Sequence, residues 1–168
     1  MLIGITGSAG KTTTTTLTYE MLLASANEAN RLRQSVNYRI WVGGNIGNPL
    51  ISDVDQMRPN DRVVMELSSF QLQQITLSPH IACITNITPN HLDRHPDMAD
   101  YIAAKKRILD DQMPQDWDVL CADDENTRQL AAQPGFSPAK TVWFSVKQTP
   151  FGDGAWLDED GDLRLRIA

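Results

Sequence analysis

A short glycine-rich segment near the amino terminus combines the residue types that bind phosphate. The apolar run Leu2–Thr6 precedes the sequence GSAGKT, which contains Gly7, Gly10, Lys11 and Thr12. Glycines let backbone N–H groups converge on phosphate oxygens, a lysine neutralises phosphate charge, and a threonine hydroxyl can bind Mg²⁺. The usual loop reads GxxxxGK[ST], whereas position 5 here is Ile, so the match is the shorter GxxGKT. We predict a nucleotide-binding loop; the alternative is a glycine-rich turn before an ordinary helix.

A carboxylate and a histidine follow two other apolar runs. Glu66 ends the run RVVME, and in a parallel sheet the carboxyl ends of strands line the ligand crevice. Glu66 is therefore a candidate ligand for a Mg²⁺ ion that bridges phosphates, the alternative being an exposed glutamate at a strand end. His91 lies in the next such loop, where a single histidine is more often a surface residue. The flanking prolines argue against a helical His91/His95 metal pair, and we do not predict a zinc site.

Lys105 occupies an apolar position of a predicted helix, Met98–Met113. The apolar stripe of this helix comprises Met98, Tyr101, Ile102, Ile108 and Leu109. Helical spacing places Lys105 on the same stripe and Lys106 elsewhere, so we expect Lys105 to point inward. A desolvated lysine can act as a nucleophile or accept a modification. The alternative is a side chain whose apolar stem is buried while its ammonium reaches solvent.

A second glycine-rich segment, VGGNIGNPL, follows the apolar residues around Ile40. It lacks the GxGxxG spacing of a dinucleotide-binding loop. Gly43, Gly44 and Gly47 permit close backbone approach, and Asn45 offers both a donor and an acceptor. The segment could bind an anionic second substrate, although a plain turn explains the glycines equally well.

These segments lie far apart in the sequence, so strands and helices must bring them together. Along the chain, apolar runs alternate with helical patterns. That alternation predicts an α/β fold, a mostly parallel sheet with flanking helices. The predicted strands are Leu2–Thr6, Tyr38–Val42, Arg62–Leu67, Ile81–Ile87, Asp118–Ala122 and Thr141–Ser145. The predicted helices are Lys11–Ser25, Met98–Met113 and Glu125–Gln133. A small C-terminal β-hairpin is predicted from Gly154–Leu157 and Leu163–Ile167.

Composition is typical of one globular domain. The 168 residues are 41% hydrophobic and 21% charged, with a net charge of −6. Residues 1–109 hold 9 acids and 10 bases, whereas residues 110–168 hold 12 acids and 5 bases. This balance argues against nucleic-acid or anionic-membrane partners. Cys83 and Cys121 lie in apolar runs and are expected to be buried free thiols. With no apolar stretch of membrane-spanning length and no signal-like segment, we expect a cytoplasmic protein.

Together these segments resemble the Mur ligase family, in particular its D-glutamate-adding members. The resemblance extends over roughly residues 1–125 and is carried, in order, by GITGSAGKTTT, GGNIGNPL, ELSSFQL, NITPNHLDRH and YIAAKKRI. It implies that residues 1–168 are a single ATP-binding domain, the P-loop-type central domain of a Mur ligase. The implied reaction joins UDP-MurNAc-L-alanine to D-glutamate through an acyl phosphate, in peptidoglycan precursor synthesis.

The resemblance also implies roles for residues at matching positions. Those that would bind ATP are Gly7, Ser8, Gly10, Lys11, Thr12 and Thr13. Those implied to be catalytic are Lys11, His91 and Lys105. Those that would serve two Mg²⁺ sites are Thr12, Glu66, His91 and Lys105, the last as a carbamylated lysine. Those that would contact the UDP-muramoyl substrate are Asn45, Ser68 and Gln71.

Several departures from the family pattern qualify these expectations. Ala9 stands where the loop usually has Asn, and Asn90 stands where Asp is common before the histidine. About ten residues within 25–38 look like extra loop or helix. The N-terminal UDP-binding domain and the C-terminal amino-acid-binding domain are not represented, so the chain by itself is expected to lack ligase activity. The alternatives are a ligase resembling folylpolyglutamate synthetase, which GGNIG and ELSSFQL fit poorly, and a non-catalytic nucleotide-binding module.

Overall fold

The computed structural model describes residues 1–47, 49–89 and 94–167, and in this part of the chain eight strands form one sheet. The strands are β1 Leu2–Thr6, β2 Ile40–Gly44, β3 Arg62–Glu66, β4 Ile81–Ile84, β5 Trp117–Cys121, β6 Lys140–Ser145, β7 Gly154–Leu157 and β8 Leu163–Arg166. The helices are α1 Lys11–Arg31, α2 Ser69–Leu72, α3 Met98–Lys106 and α4 Glu125–Ala131. Two 3₁₀ turns, Leu50–Ser52 and Val54–Gln56, follow β2.

The sheet is parallel except at its last pair. Its spatial order is β2-β3-β1-β4-β5-β6-β7-β8, and only β7 and β8 pair antiparallel. The predicted α/β class and the C-terminal hairpin are confirmed. Because β1, β3 and β4 are neighbours and run the same way, the loops that follow them meet at one edge of the sheet.

Apolar side chains on both faces of the sheet pack against helices. On one face Ile3, Ile5 and Val64 pack with Tyr19 and Leu22 of α1. The other face carries the larger core, to which α2, α3 and α4 all contribute. Its most deeply buried members are Leu72, Ile84, Ile87, Tyr101, Ile108, Leu109 and Leu120. The stripe predicted on α3 is thus confirmed as core.

Two elements, β2 and α1, have boundaries that differ from the predicted ones. β2 lies two residues later than predicted, since Gly43 and Gly44 pair with Met65 and Glu66 of β3. The helix predicted for Lys11–Ser25 continues to Arg31, so part of the extra segment is helical.

Two other elements, β4 and α3, end earlier in the sequence than predicted. β4 ends at Ile84. The Thr85 N–H still donates to the Thr6 carbonyl of β1, but the Thr85 hydroxyl and the Asn86 side chain bond to the glycine-rich loop. The helix predicted for Met98–Met113 ends at Lys106. After it, Ile108 and Leu109 donate to carbonyls three residues back, a tighter turn that brings both side chains into the core.

Two further expectations concern the chain as a whole. Cys83 and Cys121 are buried free thiols, as predicted. Among the described residues, every helix is too short or too polar to cross a bilayer.

Candidate functional site

The first turn of α1 presents unpaired backbone donors beside a cation. Gly10 precedes the helix with φ of 80°, a left-handed conformation suited to glycine, and no side chain caps the helix there. The first turn itself contains no acidic residue, and the Glu66 carboxylate lies beside it, accepting from Thr12 Oγ1. Lys11 is half-buried, and its Nζ lies 3.4 Å from the carbonyl oxygen of Ser8. Thr13 lies exposed in the same turn. This arrangement suits a phosphate group.

The loop before α1 is bonded to the chain that leaves β4. The Ser8 N–H donates to the Asn86 carbonyl at 2.9 Å, and the Asn86 side chain exchanges two 3.0 Å hydrogen bonds with the backbone of Ala9. Gly7 has φ of +150°, and a Cβ there would lie 1.9 Å from Thr85 Oγ1. Sequence reasoning missed Thr85 and Asn86, although their position directly after a buried strand was an available signal.

Ser8 links this loop to α3. Its hydroxyl donates to the Thr88 carbonyl at 2.8 Å and accepts from the Thr88 N–H at 2.9 Å. Tyr101 Oη lies 3.1 Å from Ser8 Oγ and, since the Ser8 proton is used, it donates. Tyr101 was predicted only as a core residue. Ser8 itself is buried, so its side chain shapes the loop and leaves phosphate contact to the backbone.

A second group of side chains surrounds Glu66, the last residue of β3. Its carboxylate is 2% exposed and accepts from Thr12 Oγ1 at 2.8 Å and from Asn45 Nδ2 at 3.1 Å. The Asn45 N–H also donates to the Glu66 carbonyl at 2.9 Å. This approach requires Gly44, whose φ is +99° and whose Cβ would lie 2.1 Å from the Glu66 carbonyl oxygen. The fold thus brings together three predicted site residues from distant parts of the sequence, namely Thr12, Asn45 and Glu66.

Ser68 and Gln71 form the amino-terminal cap of the short helix α2. The Ser68 hydroxyl accepts from the Gln71 N–H at 3.2 Å, and the Gln71 side chain accepts from the Ser68 N–H at 2.9 Å. This reciprocal pair is a capping box, which gives both residues a structural role. Both are half-buried and lie shortly after Glu66 in sequence.

Lys105 points inward, as predicted, and its ammonium does not reach solvent. The residue is 1% exposed, Nζ donates to the Gly7 carbonyl at 2.9 Å, and it lies 4.5 Å from the centre of the Tyr101 ring. Burial, with a smaller effect from the charge of Lys11, lowers the pKa of Lys105 to about 7. A substantial fraction of the amine is therefore neutral near physiological pH.

Two predicted features fall on chain that lies outside the described residues, namely His91 and the departure at Asn90. Within residues 1–47, 49–89 and 94–167, no group of three or more His, Cys, Asp or Glu side chains is placed to hold a metal ion. Hydroxyls, water and a bound phosphate are ligands with which a carboxylate such as Glu66 commonly shares Mg²⁺.

A cavity of about 460 Å³ lies beside the glycine-rich loop, at the carboxyl edge of β4, β5 and β6. Its lining includes Ala9, Asn86, Asp123, Phe144 and Lys147. It mixes an aromatic ring with polar and charged groups and lies next to the predicted phosphate position. The arrangement can accommodate the remainder of a nucleotide.

The sequence matches the family described as Mur ligase middle domain over residues 5–161. Curated relatives named UDP-N-acetylmuramoylalanine–D-glutamate ligase are 49% identical over 160 residues in Symbiobacterium thermophilum and 45% identical over 159 residues in Clostridium kluyveri. Each alignment covers 95% of this chain but only 32% and 31% of the relative. The chain therefore spans about a third of the length of these relatives.

Two solved structures have a similar fold. A UDP-N-acetylmuramoyl-L-alanyl-D-glutamate–2,6-diaminopimelate ligase matches with a TM-score of 0.67 and 21% identity, over 92% of this chain and 34% of that one. MurF from Acinetobacter baumannii matches with a TM-score of 0.61 and 21% identity, over 94% of this chain and 33% of that one. At this identity the matches establish the fold alone.

Proposed function

The chain belongs to the Mur ligase family through its middle domain, and we propose that it is the ATP-binding, catalytic part of a ligase that adds D-glutamate to UDP-MurNAc-L-alanine. The observation that carries the proposal is the group formed by Thr12, Glu66 and Asn45 beside the amino terminus of α1. The shared name of the relatives supports the choice of D-glutamate as the added amino acid. The parent protein would act in the cytoplasm, in peptidoglycan precursor synthesis and hence in cell shape and division.

Phosphate binding is assigned to the loop and the start of α1. Backbone N–H groups of Gly10, Lys11, Thr12 and Thr13 face the position that the helix dipole makes favourable for an anion. The Lys11 ammonium would neutralise the β- and γ-phosphates of ATP. Gly7 and Ser8 hold the loop against β4 and α3, so little reorganisation is needed on binding.

A first Mg²⁺ is assigned to Thr12 and Glu66. Their oxygens are 2.8 Å apart and belong to the donor types that Mg²⁺ prefers. When bound, the ion would neutralise charge on the transferring phosphate. Asn45 holds the Glu66 carboxylate from its other oxygen, which fixes the orientation of this ligand.

A second Mg²⁺ is assigned to His91 together with a carbamylated Lys105. The neutral amine attacks CO₂, and loss of one proton leaves a carbamate anion with one remaining N–H. That N–H can keep the bond to the Gly7 carbonyl, which the lysine makes at 2.9 Å. A pKa of about 7 supplies the neutral amine that this reaction requires.

The UDP-muramoyl substrate is assigned to Asn45, which bonds the Glu66 carboxylate, and to Ser68 and Gln71, which follow Glu66 in sequence. The chain's own contribution is then to hold the carboxylate of the substrate near the phosphate, so that an acyl phosphate forms and the amine of D-glutamate displaces phosphate. Binding of the uridine nucleotide and of D-glutamate is assigned to parts of the parent protein that this chain does not include.

The experiment that tests the proposal uses the parent protein. We expect release of ADP and phosphate only when UDP-MurNAc-L-alanine and D-glutamate are both present, and near-complete loss in Lys11→Ala. Equal turnover with another amino acid would refute the D-glutamate assignment. Ligation that survives Lys11→Ala would favour a non-catalytic role for this domain.

A further inference from the structure

A buried histidine outside the predicted site joins two helices that border it. His95 is 2% exposed; its Nε2 lies 2.9 Å from Ser69 Oγ at the start of α2, and its Nδ1 lies 2.6 Å from Asp100 Oδ2 on α3. The ring stacks on Phe70 at 5.2 Å between centroids and meets the Tyr101 ring edge-on at 5.0 Å. The two hydrogen bonds therefore fix the orientation of the His95 ring, and the two aromatic contacts fix its position.

The donors and acceptors assign a tautomer to this ring. An ionised Asp100 carboxylate can only accept, so the proton of the neutral imidazole lies on Nδ1. Nε2 then accepts from the hydroxyl of Ser69. Asp100 itself lies near the start of α3, where its N–H donates to the capping side chain of Asp97 at 2.8 Å, so the carboxylate belongs to an ordered turn.

The order serine, histidine, aspartate is that of a hydrolase triad, but the burial here gives it another use. Ser69 is 3% exposed and lies within the first turn of α2, so its hydroxyl has no open side from which a substrate could be attacked. The hydrogen bonds that run from Ser69 through His95 to Asp100 instead join α2 to α3.

The hydrogen bonds from Ser69 through His95 to Asp100 hold the start of α2 in place. α2 has four residues, Ser69–Leu72, and so short a helix is marginal without tertiary contacts. Its contacts include the burial of Leu72, the capping box of Ser68 and Gln71, the stacking of Phe70 on His95, and the bond from Ser69 to His95. The bond from Ser69 ties the start of α2 to His95, which lies just before α3, and it acts one residue from Ser68.

We propose that His95, oriented by Asp100, is a positioning residue that fixes Ser68 and Gln71 for the acceptor substrate by way of Ser69. The inference rests on the proposed function for the identity of that substrate. Because Tyr101 reaches the glycine-rich loop by its own bond to Ser8, binding of ATP does not depend on the hydrogen bonds of His95.

The kinetic test compares substrates in the parent enzyme. His95→Phe keeps an aromatic ring against Phe70 and Tyr101 but loses both hydrogen bonds. We expect KM for UDP-MurNAc-L-alanine to rise about tenfold, while KM for ATP and kcat change less than about threefold. Ser69→Ala is expected to raise the same KM, and the double variant to be no worse than His95→Phe alone, because both remove one linkage.

The matched control is His80→Phe, which removes the bond that His80 Nδ1 accepts from the Leu2 N–H at the opposite edge of the sheet. It is expected to leave all three kinetic parameters unchanged. Additive effects of His95→Phe and Ser69→Ala, or equal rises in both KM values, would overturn the proposal.

A structural arm is independent of the enzyme's substrates. In the 168-residue chain, ¹⁵N NMR should place the His95 proton on Nδ1, and Asp100→Asn should disturb that state. A proton on Nε2 rather than Nδ1 would overturn the proposal, because His95 would then not donate to Asp100. If the wild-type parent enzyme does not use UDP-MurNAc-L-alanine at all, the proposed function fails and the claim that His95 serves this substrate falls with it. The tautomer remains measurable by NMR, and the coupling of His95 to Ser69 remains measurable by equilibrium unfolding of the single and double variants.

Discussion

At the scale of single residues, two buried ionisable side chains of this protein are held by specific hydrogen bonds. Lys105 and Glu66 are both almost fully buried, yet each has specific polar contacts that a core position does not require. The inward orientation of Lys105 was predictable from helical spacing alone. Its contact with the Gly7 carbonyl was not, because no sequence pattern reports which residue 98 positions away comes into reach.

Carbamylation of Lys105 is the first prediction at this scale. Intact-mass measurement under non-denaturing conditions, with bicarbonate, nucleotide and Mg²⁺, should show the parent protein heavier by one CO₂. The adduct should be absent in Lys105→Ala and retained in Lys106→Ala, a partly exposed neighbour. Its absence from the wild-type protein under these conditions would contradict the assignment.

Asp118 gives the second prediction. Its carboxyl is fully buried, and burial raises its pKa from 3.8 to about 6. The folded state therefore holds this proton more tightly than the unfolded state, so the group's contribution to stability is complete below about pH 4 and is lost as pH rises through about 6.

Asp118→Asn should thus gain stability relative to wild type between these pH values, by at most about 3 kcal/mol, since one pKa unit corresponds to about 1.4 kcal/mol. Urea unfolding at a series of pH values measures the difference. The exposed control Asp55→Asn should show little pH-dependent difference. A constant difference between Asp118→Asn and wild type would contradict the prediction.

At the scale of elements, alternation of apolar runs was enough to predict the sheet, and the ends of elements were harder. β2 was placed too early because Gly43 and Gly44 have low strand propensity, and only their pairing with β3 makes them part of the strand. α3 was extended too far because its apolar stripe continues into a 3₁₀ turn. α2 was not predicted, since four residues are too few to show a period.

The close approach of β2 to β3 gives a prediction with an internal control. Gly44 and Gly47 both have positive φ, but only at Gly44 would a Cβ meet backbone, at 2.1 Å from the Glu66 carbonyl oxygen. Gly47→Ala should cost about 1 kcal/mol of unfolding free energy from its conformation alone. Gly44→Ala should cost at least about 2 kcal/mol more, because strand or loop must move.

Equilibrium unfolding of both variants measures these costs, and the parent enzyme gives a second comparison. Displacing Asn45 from Glu66 should lower ligase activity in Gly44→Ala more than in Gly47→Ala. Equal costs for the two substitutions would show that the crowding at Gly44 is relieved without consequence.

At the scale of the whole molecule, residues 1–168 contain the proposed nucleotide site but span about a third of the length of their relatives. The nearly neutral segment 1–109 supplies every predicted site residue, and the acidity lies in residues 110–168. Motif order was sufficient to predict the family. The hydrogen bonds among the loops were not predictable, because they depend on the spatial order of the strands rather than on their order in sequence.

Nucleotide binding by this chain alone is the prediction at this scale. Titration calorimetry with ATP and Mg²⁺ should detect weak binding that Lys11→Ala abolishes, and amide formation should be negligible. Lys140→Ala changes a lysine at the start of β6, over the Trp117 ring at the other edge of the sheet, and should leave binding unchanged. Equal binding by wild type and Lys11→Ala would show that the nucleotide does not use this loop.

The strand order also has a consequence for how the molecule reaches its native state. The glycine-rich loop occurs near the start of the chain, but its contacts come from Asn86, Thr88 and Lys105, which are synthesised much later. Contacts so distant in sequence require large loops to close, which slows folding. A nascent chain that ends before β4 therefore has the loop sequence without the loop shape, and the conformation proposed to bind nucleotide forms only once β4 and α3 have joined β1.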